Sequence, residues 1–131
     1  MAEDSDLADV VRRDIDEHID NLDALEVAML VFRDQARTWT PDQVASALRI
    51  SVRVARRELD RMRTRGTLKI VGDDSGFQFD VTDPDKAAAV ARIASMYGTR
   101  RIELINYVAS QTLKRIQSIA DAFKVRKDHG E

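Results

Sequence analysis

Cysteine is absent from the 131-residue chain. That excludes disulfides, thiol nucleophiles and every zinc site built on thiolate, and it fits a reducing, cytoplasmic setting. Proline occurs twice and glycine five times, too few for a loop-rich or low-complexity chain. The longest uninterrupted apolar run, Val27 to Phe32, falls far short of the roughly 20 residues a membrane-spanning helix needs. The start, Met1-Ala2-Glu3-Asp4-Ser5-Asp6, is acidic where a secretory signal would be basic and then apolar, so none is expected. Histidine is as scarce. His18 has no second histidine at metal-ligand spacing, and His129 lies close to the end of the chain, so both read as surface residues rather than ligands. Gly72 and Gly76 flank a turn instead of opening a helix, so no glycine-rich phosphate loop is present. No catalytic residue, metal or cofactor is expected, and the chain does not read as an enzyme.

What is present is 44% hydrophobic residues, enough for one ordinary core, since a chain of this size buries roughly two-thirds of the surface its unfolded form exposes. The net charge of −2 conceals a strong division along the chain. Residues 1–26 hold ten acids against Arg12 and Arg13, a net −8. Residues 49–69 hold Arg49, Arg53, Arg56, Arg57, Arg61, Arg63, Arg65 and Lys69 against Glu58 and Asp60, a net +6. One short segment is therefore electropositive in a near-neutral chain.

Leu7, Val10, Val11, Ile15 and Ile19 have helical spacing on an acidic background, which predicts a peripheral helix or a partly disordered arm. A helix beginning near Asp20-Asn21 and ending near Ala36 is apolar nearly all round and belongs at the centre of the core. Trp39-Thr40-Pro41-Asp42-Gln43-Val44 then carries four agreeing start signals. Thr40 is a cap, Pro41 suits the first helical position, Gln43 completes a capping box, and Trp39 and Val44 form a hydrophobic staple. That helix is short and runs out at Arg49-Ile50. Ser51 offers a second cap, and Val52, Ala55, Leu59 and Met62 form the buried stripe of a helix closing at Gly66.

The period then changes. Residues 67–71 and 77–81 alternate, with Gly72-Asp73-Asp74-Ser75-Gly76 between them, which predicts a β-hairpin. Asp83-Pro84 restarts helix, carried to about Ala109 by Val90, Ile93, Tyr97, Leu104, Ile105 and Val108, with Gly98 as a kink. Beyond Ser110-Gln111-Thr112 a further stripe is expected on Leu113, Ile116, Ala120 and Phe123. Trp39, Tyr97 and Tyr107 are assigned to packing.

Helix, short helix, tight turn, helix and hairpin over residues 20–82, with Val44, Ala45, Leu48, Ile50, Ser51, Ala55, Leu59 and Met62 at their spacings before Gly66, resemble the winged helix-turn-helix family. With the tail Ala120-Asp121-Ala122-Phe123, the chain also resembles small bacterial winged-helix proteins with a helical C-terminal extension. The resemblance implies a mainly α fold with a small hairpin. Its parts are an acidic N-terminal helix or arm (1–19), the winged helix-turn-helix (20–82) and a helical extension (83–131). It further implies that the second helix of the motif enters the major groove of double-stranded DNA. Carried onto this sequence, the outward positions are Arg53, Val54, Arg56, Arg57, Asp60 and Arg61. The arginines would meet phosphate or guanine, Val54 a thymine methyl, and Ser51 with the helix start a phosphate. Arg49, Arg63 and Arg65 would touch backbone or solvent.

Two functions remain open at this point: a DNA-binding transcriptional regulator, or a winged-helix module that binds a protein partner. Part of the charge reads as a solvated face, Glu58 pairing with Arg61 or Arg65 and Asp60 with Arg56, Arg57 or Arg63. The acidic hairpin tip suits DNA poorly, and the acidic first segment could lie across the basic helix. Residues 84–127 carry more apolar surface than so small a core covers. They either fold back on the domain or pair with a second subunit, and a homodimer is expected. Membrane adsorption is disfavoured by Glu103 and Asp121 within the stripes.

Overall fold

Local capping chemistry sets most of the boundaries in the structure, a computed structural model that describes residues 7–73 and 75–129, with side chains as far as Lys124. Expectations that concern residues 1–6, Asp74 and the side chains of Arg126, Lys127 and His129 lie outside the described residues. In chain order the elements are α1 (Asp9–His18), α2 (Leu22–Arg33), α3 (Pro41–Leu48), α4 (Val52–Arg65), β1 (Leu68–Val71), β2 (Gly76–Phe79), α5 (Pro84–Thr99) and α6 (Arg101–His129). The chain is thus mainly helical with one small antiparallel two-stranded sheet.

Asn21 caps α2 by accepting from the Ala24 amide at 2.8 Å. Thr40 and Gln43 close a reciprocal capping box at the start of α3, with Pro41 in its first turn. Ser51 caps α4 by accepting from the Val54 amide at 3.1 Å. Each bond satisfies an amide that the first helical turn would otherwise leave unpaired. Gly66 ends α4 in the left-handed region at φ 88°, where a Cβ would be strained. Arg49 adopts a similar conformation, φ 57°, between α3 and α4, which folds the two helices against one another with only Ile50 and Ser51 to follow before α4.

The core forms around α2, whose Leu25, Val27, Ala28 and Val31 are almost fully enclosed. Ala55, Leu59 and Met62 of α4 pack onto it, as do Val44 and Ala45 of α3, with Leu68, Phe77 and Phe79 of the hairpin closing one end. The hairpin pairs Leu68 with Phe79 and Ile70 with Phe77. Trp39, 4% exposed, adds one further antiparallel rung: its amide donates to the Phe77 carbonyl at 2.7 Å and its carbonyl accepts from the Phe77 amide at 2.8 Å. Gly76 permits that approach, because a Cβ there would lie 2.6 Å from the Thr38 methyl and 2.8 Å from the Val71 carbonyl.

Three expectations need correcting. First, α1 is not a peripheral arm. Val11 and Ile15 are 3% and 0% exposed against α5 and α6, and the buried Asp14 accepts two bonds from the Arg92 fork at 2.7 and 3.0 Å. Second, α2 stops at Arg33, because Asp34 leaves helical geometry. Third, the break in the C-terminal region falls at Arg100, and Ser110-Gln111-Thr112 runs through inside α6. Gly98 and Thr99 are poor helix formers next to the break. Thr112 is held in place because its hydroxyl sits 3.0 Å from the Val108 carbonyl and 3.2 Å from that of Asp20. The first half of α6 folds back through Leu104 and Val108, both buried, while every described side chain from Leu113 to Lys124 is exposed. Among the described residues no helix is long and apolar enough to cross a membrane.

Candidate nucleic-acid interface

Helix α4 presents two faces of opposite character. Ala55, Glu58, Leu59 and Met62 point into the protein, which leaves Arg53, Arg56, Arg57, Asp60 and Arg61 exposed on the other side. Arg53, Arg56, Arg57 and Arg61 line one open groove of about 610 Å³ together with Asp20, Asp60, Thr64 and Arg65. Helical spacing of three and four brings these side chains into register along the axis. Four of the seven expected contact residues are therefore gathered in one place. Arg49 and Ser51 lie exposed at the turn ahead of α4, and Val54 is half-buried; none of these three lines the groove.

The arginines are not equivalent. Glu58, expected on the solvated face, is buried at 1% exposure, 3.0 Å from Arg57 and 3.3 Å from Arg61, with the Asn21 amide donating to it at 3.4 Å. Asp20 receives two bonds from Arg65, both 2.8 Å, and stands 3.7 Å from Arg61 and 3.5 Å from Arg115. Arg65 also donates to the His18 carbonyl at 2.9 Å, so it is a tie between elements rather than a backbone or solvent contact. Asp60 makes no ion pair among the described residues; its carbonyl accepts from the Thr64 hydroxyl. Arg53 and Arg56 likewise have no carboxylate within 4 Å among the described residues.

Carboxylates thus hold Arg57, Arg61 and Arg65, whereas Arg63 near the end of α4 and Arg53 and Arg56 near its start have none within 4 Å among the described residues. The N-terminal amides of α4 add a partial positive charge at its start. Sequence reasoning found the basic face and the pairing of Glu58 with Arg61, but not the burial of Glu58 or the part played by Asp20. The signal for Glu58 was available: it stands three residues after Ala55 and four before Met62, inside the buried stripe. Nothing local announced Asp20, which reaches Arg65 across 45 positions of sequence.

The described part of the acidic first segment, from Leu7 on, does not lie across this face. Of its described carboxylates, Asp14 is held by Arg92, Asp16 accepts from Tyr107 and Gln111, and only Asp20 touches α4. Tyr107 and Tyr97 keep their protons to higher pH than usual, through partial burial and then through donation to Asp16 and Glu26. His18 is a second departure from expectation, since its side chain is only 11% exposed. Burial lowers its pKa, with Glu17 and Asp14 opposing and Arg65 and Lys86 reinforcing the shift. Among the described residues no group of three or more His, Asp or Glu side chains is placed to hold a metal ion. No protein-family model, curated protein or solved structure matches the chain.

Proposed function

We propose that this chain is a winged helix-turn-helix protein that binds double-stranded DNA as a transcriptional regulator, with α4 in the major groove. The order α2, α3, turn, α4, hairpin supports the fold reading, as does the Trp39 rung that widens the hairpin. The observation that carries the functional reading is the distribution of free charge on α4. A recognition helix meets base edges through its N-terminal residues, and that is where Arg53 and Arg56 stand exposed and, among the described residues, without carboxylate partners. Their planar forks suit phosphate or the two acceptors of guanine. Arg57 and Arg61 can reach backbone phosphate from the flank, and the Ser51 end of the helix offers amides to a phosphate. Arg49 extends the basic edge at the turn. Val54 contributes an apolar contact to a thymine methyl. This function belongs to a bacterial cytoplasm, where the DNA is.

A protein-interaction module is the second reading. It is favoured by the hairpin tip, where Asp73 is exposed and would repel a phosphate. Titration of labelled duplexes at several salt concentrations separates the two. DNA binding through Arg53 and Arg56 requires log affinity to fall against log salt by about 0.9 for each neutralised phosphate, and each Arg→Ala variant to flatten that slope or relax base preference. Wild-type affinity no better than millimolar near physiological salt, on mixed-sequence and upstream duplexes alike, supports the protein-binding module instead.

A further inference from the structure

Helix α6 is 29 residues long, about 43 Å at 1.5 Å per residue, and only its first half is covered. A helix that stands free in water is ordinarily polar all round. This one carries Leu113 at 59% exposure, Ile116 at 57%, Ile119 at 69% and Phe123 at 68%. Leu113, Ile116, Ala120 and Phe123 follow one another at three, four and three residues, the a/d spacing of a helix-pairing seam. Lys114, Arg115 and Asp121 fall away from that seam, and Arg115 is already drawn toward Asp20. At the near end of the stripe, Ala109, Thr112 and Leu113 form an apolar groove with Leu22 and Asp23 at the start of α2. Leu22 is 41% exposed there.

We propose that this stripe joins two copies of the chain, α6 lying antiparallel along α6, with Phe123 of each copy seated in the Leu22 groove of the other. The stripe itself selects that occupant. With the two-fold axis at residue 118, Ile116 faces the small Ala120 of the second copy, and Leu113 faces its Phe123 at the groove that Leu113 itself lines. The groove lies at one end of the stripe and the aromatic at the other, ten residues away, and only reversed helices bring one to the other twice. Lys124 then arrives beside Asp23, opposite in charge. A parallel pair would set Phe123 against Phe123 and leave both grooves empty. A standard interface buries about 800 Å² per partner, and the seam contributes toward it three large exposed side chains, Leu113, Ile116 and Phe123, together with Leu22 of the groove. The contact is isologous and closed, so it ends at two copies.

Light scattering of the full chain at tens of micromolar tests the pairing, the expected mass being twice 14.8 kDa. Ile116→Glu and Phe123→Glu are each expected to raise the dissociation constant by roughly 100-fold or more, since each places an unpaired charge in the seam. Both positions are solvent-exposed in the single chain, so circular dichroism and thermal melting of the dilute protein should hold. A monomeric wild type overturns the proposal, as does a dimer indifferent to both substitutions. Orientation is read separately, because the chain has no native cysteine to interfere. Gln117→Cys lies beside the two-fold axis and is expected to cross-link to itself with a short bis-maleimide. Lys124→Cys, about 18 Å from its copy along the axis, is not. Equal cross-linking at both positions would mean a parallel pair and overturn the antiparallel assignment.

Discussion

The Glu58 carboxylate lies 3.0 Å from the Arg57 guanidinium while exposing 1% of its own side chain. The same carboxylate is 3.3 Å from Arg61, so one buried acid holds two of the outward arginines from below. The arginines remain 48% and 42% exposed, so removing the acid leaves them hydrated. Glu58→Gln is therefore expected to cost about 1.5–3 kcal/mol, the scale for hydrogen bonds to charged groups, measured by urea unfolding. It is also expected to strengthen low-salt binding of arbitrary duplex DNA by freeing Arg57 and Arg61. Stability loss with unchanged duplex binding would show that neither arginine contributes to the interface.

His18 makes stability depend on pH in the mildly acidic range. Its folded pKa is depressed, chiefly by burial, below the ordinary 6.5, and its Nδ1 has no partner among the described residues. The unfolded chain therefore takes up a proton at a pH where the folded one does not. The contribution is complete above about pH 6.5 and declines as pH falls toward and through the depressed folded value. Chemical unfolding from pH 7.5 to 5 should show wild-type stability falling, with a shallower decline in His18→Gln. Parallel curves for the two proteins would remove His18 as the cause.

Removing residues 1–18 is expected to compromise the fold rather than release the basic helix. The deletion strips Val11 and Ile15, which are 3% and 0% exposed, and the Asp14 partner of Arg92. Loss of two core side chains of this kind costs several kcal/mol, each large-to-small change alone being worth about 2–5, against a total of about 5–15 for a domain. Circular dichroism melting is the measurement, and a truncated chain that melts like the whole one would assign α1 to the periphery after all. Val11→Ala and Ile15→Ala in the full chain give the same answer in smaller steps.

These three cases also mark what was legible in the sequence. Features fixed by neighbouring residues were readable: Thr40 with Gln43, Ser51 with Val54, Gly66 after the α4 stripe, and the paired runs on either side of Gly72 to Gly76. Features fixed by distant residues were not. The acid load on α1 suggested an exposed arm, yet Asp14 and Asp16 are satisfied by Arg92 and Tyr107, 78 and 91 positions away. Ser110-Gln111-Thr112 looked like a break because such side chains compete for backbone bonds, and here Asp16 and the Asp20 carbonyl engage two of them. For the candidate site, the basic face and the Glu58–Arg61 pair were visible from local spacing, while the tying of Arg65 required the long-range contact of Asp20.

Asp20 provides the last test, because it joins the basic helix to the C-terminal one. Both oxygens of its carboxylate accept from Nη2 of Arg65 at 2.8 Å and stand near Arg61 and Arg115, while its carbonyl accepts from Arg115 and Thr112. Asp20→Asn keeps the size and the backbone contacts but removes the charge. It is expected to cost about 1–3 kcal/mol through the weakened Arg65 pair and to raise duplex affinity at low salt, since Arg61 and Arg65 border the same groove as Arg53 and Arg56. Arg65→Ala should cost a similar amount of stability without that gain, because it removes the cation that Asp20 would have released. Urea unfolding and low-salt duplex titration on the two variants, side by side, separate the structural from the electrostatic role. Equal affinity in both would show that Asp20 acts as a tie between helices and not as a restraint on the basic face.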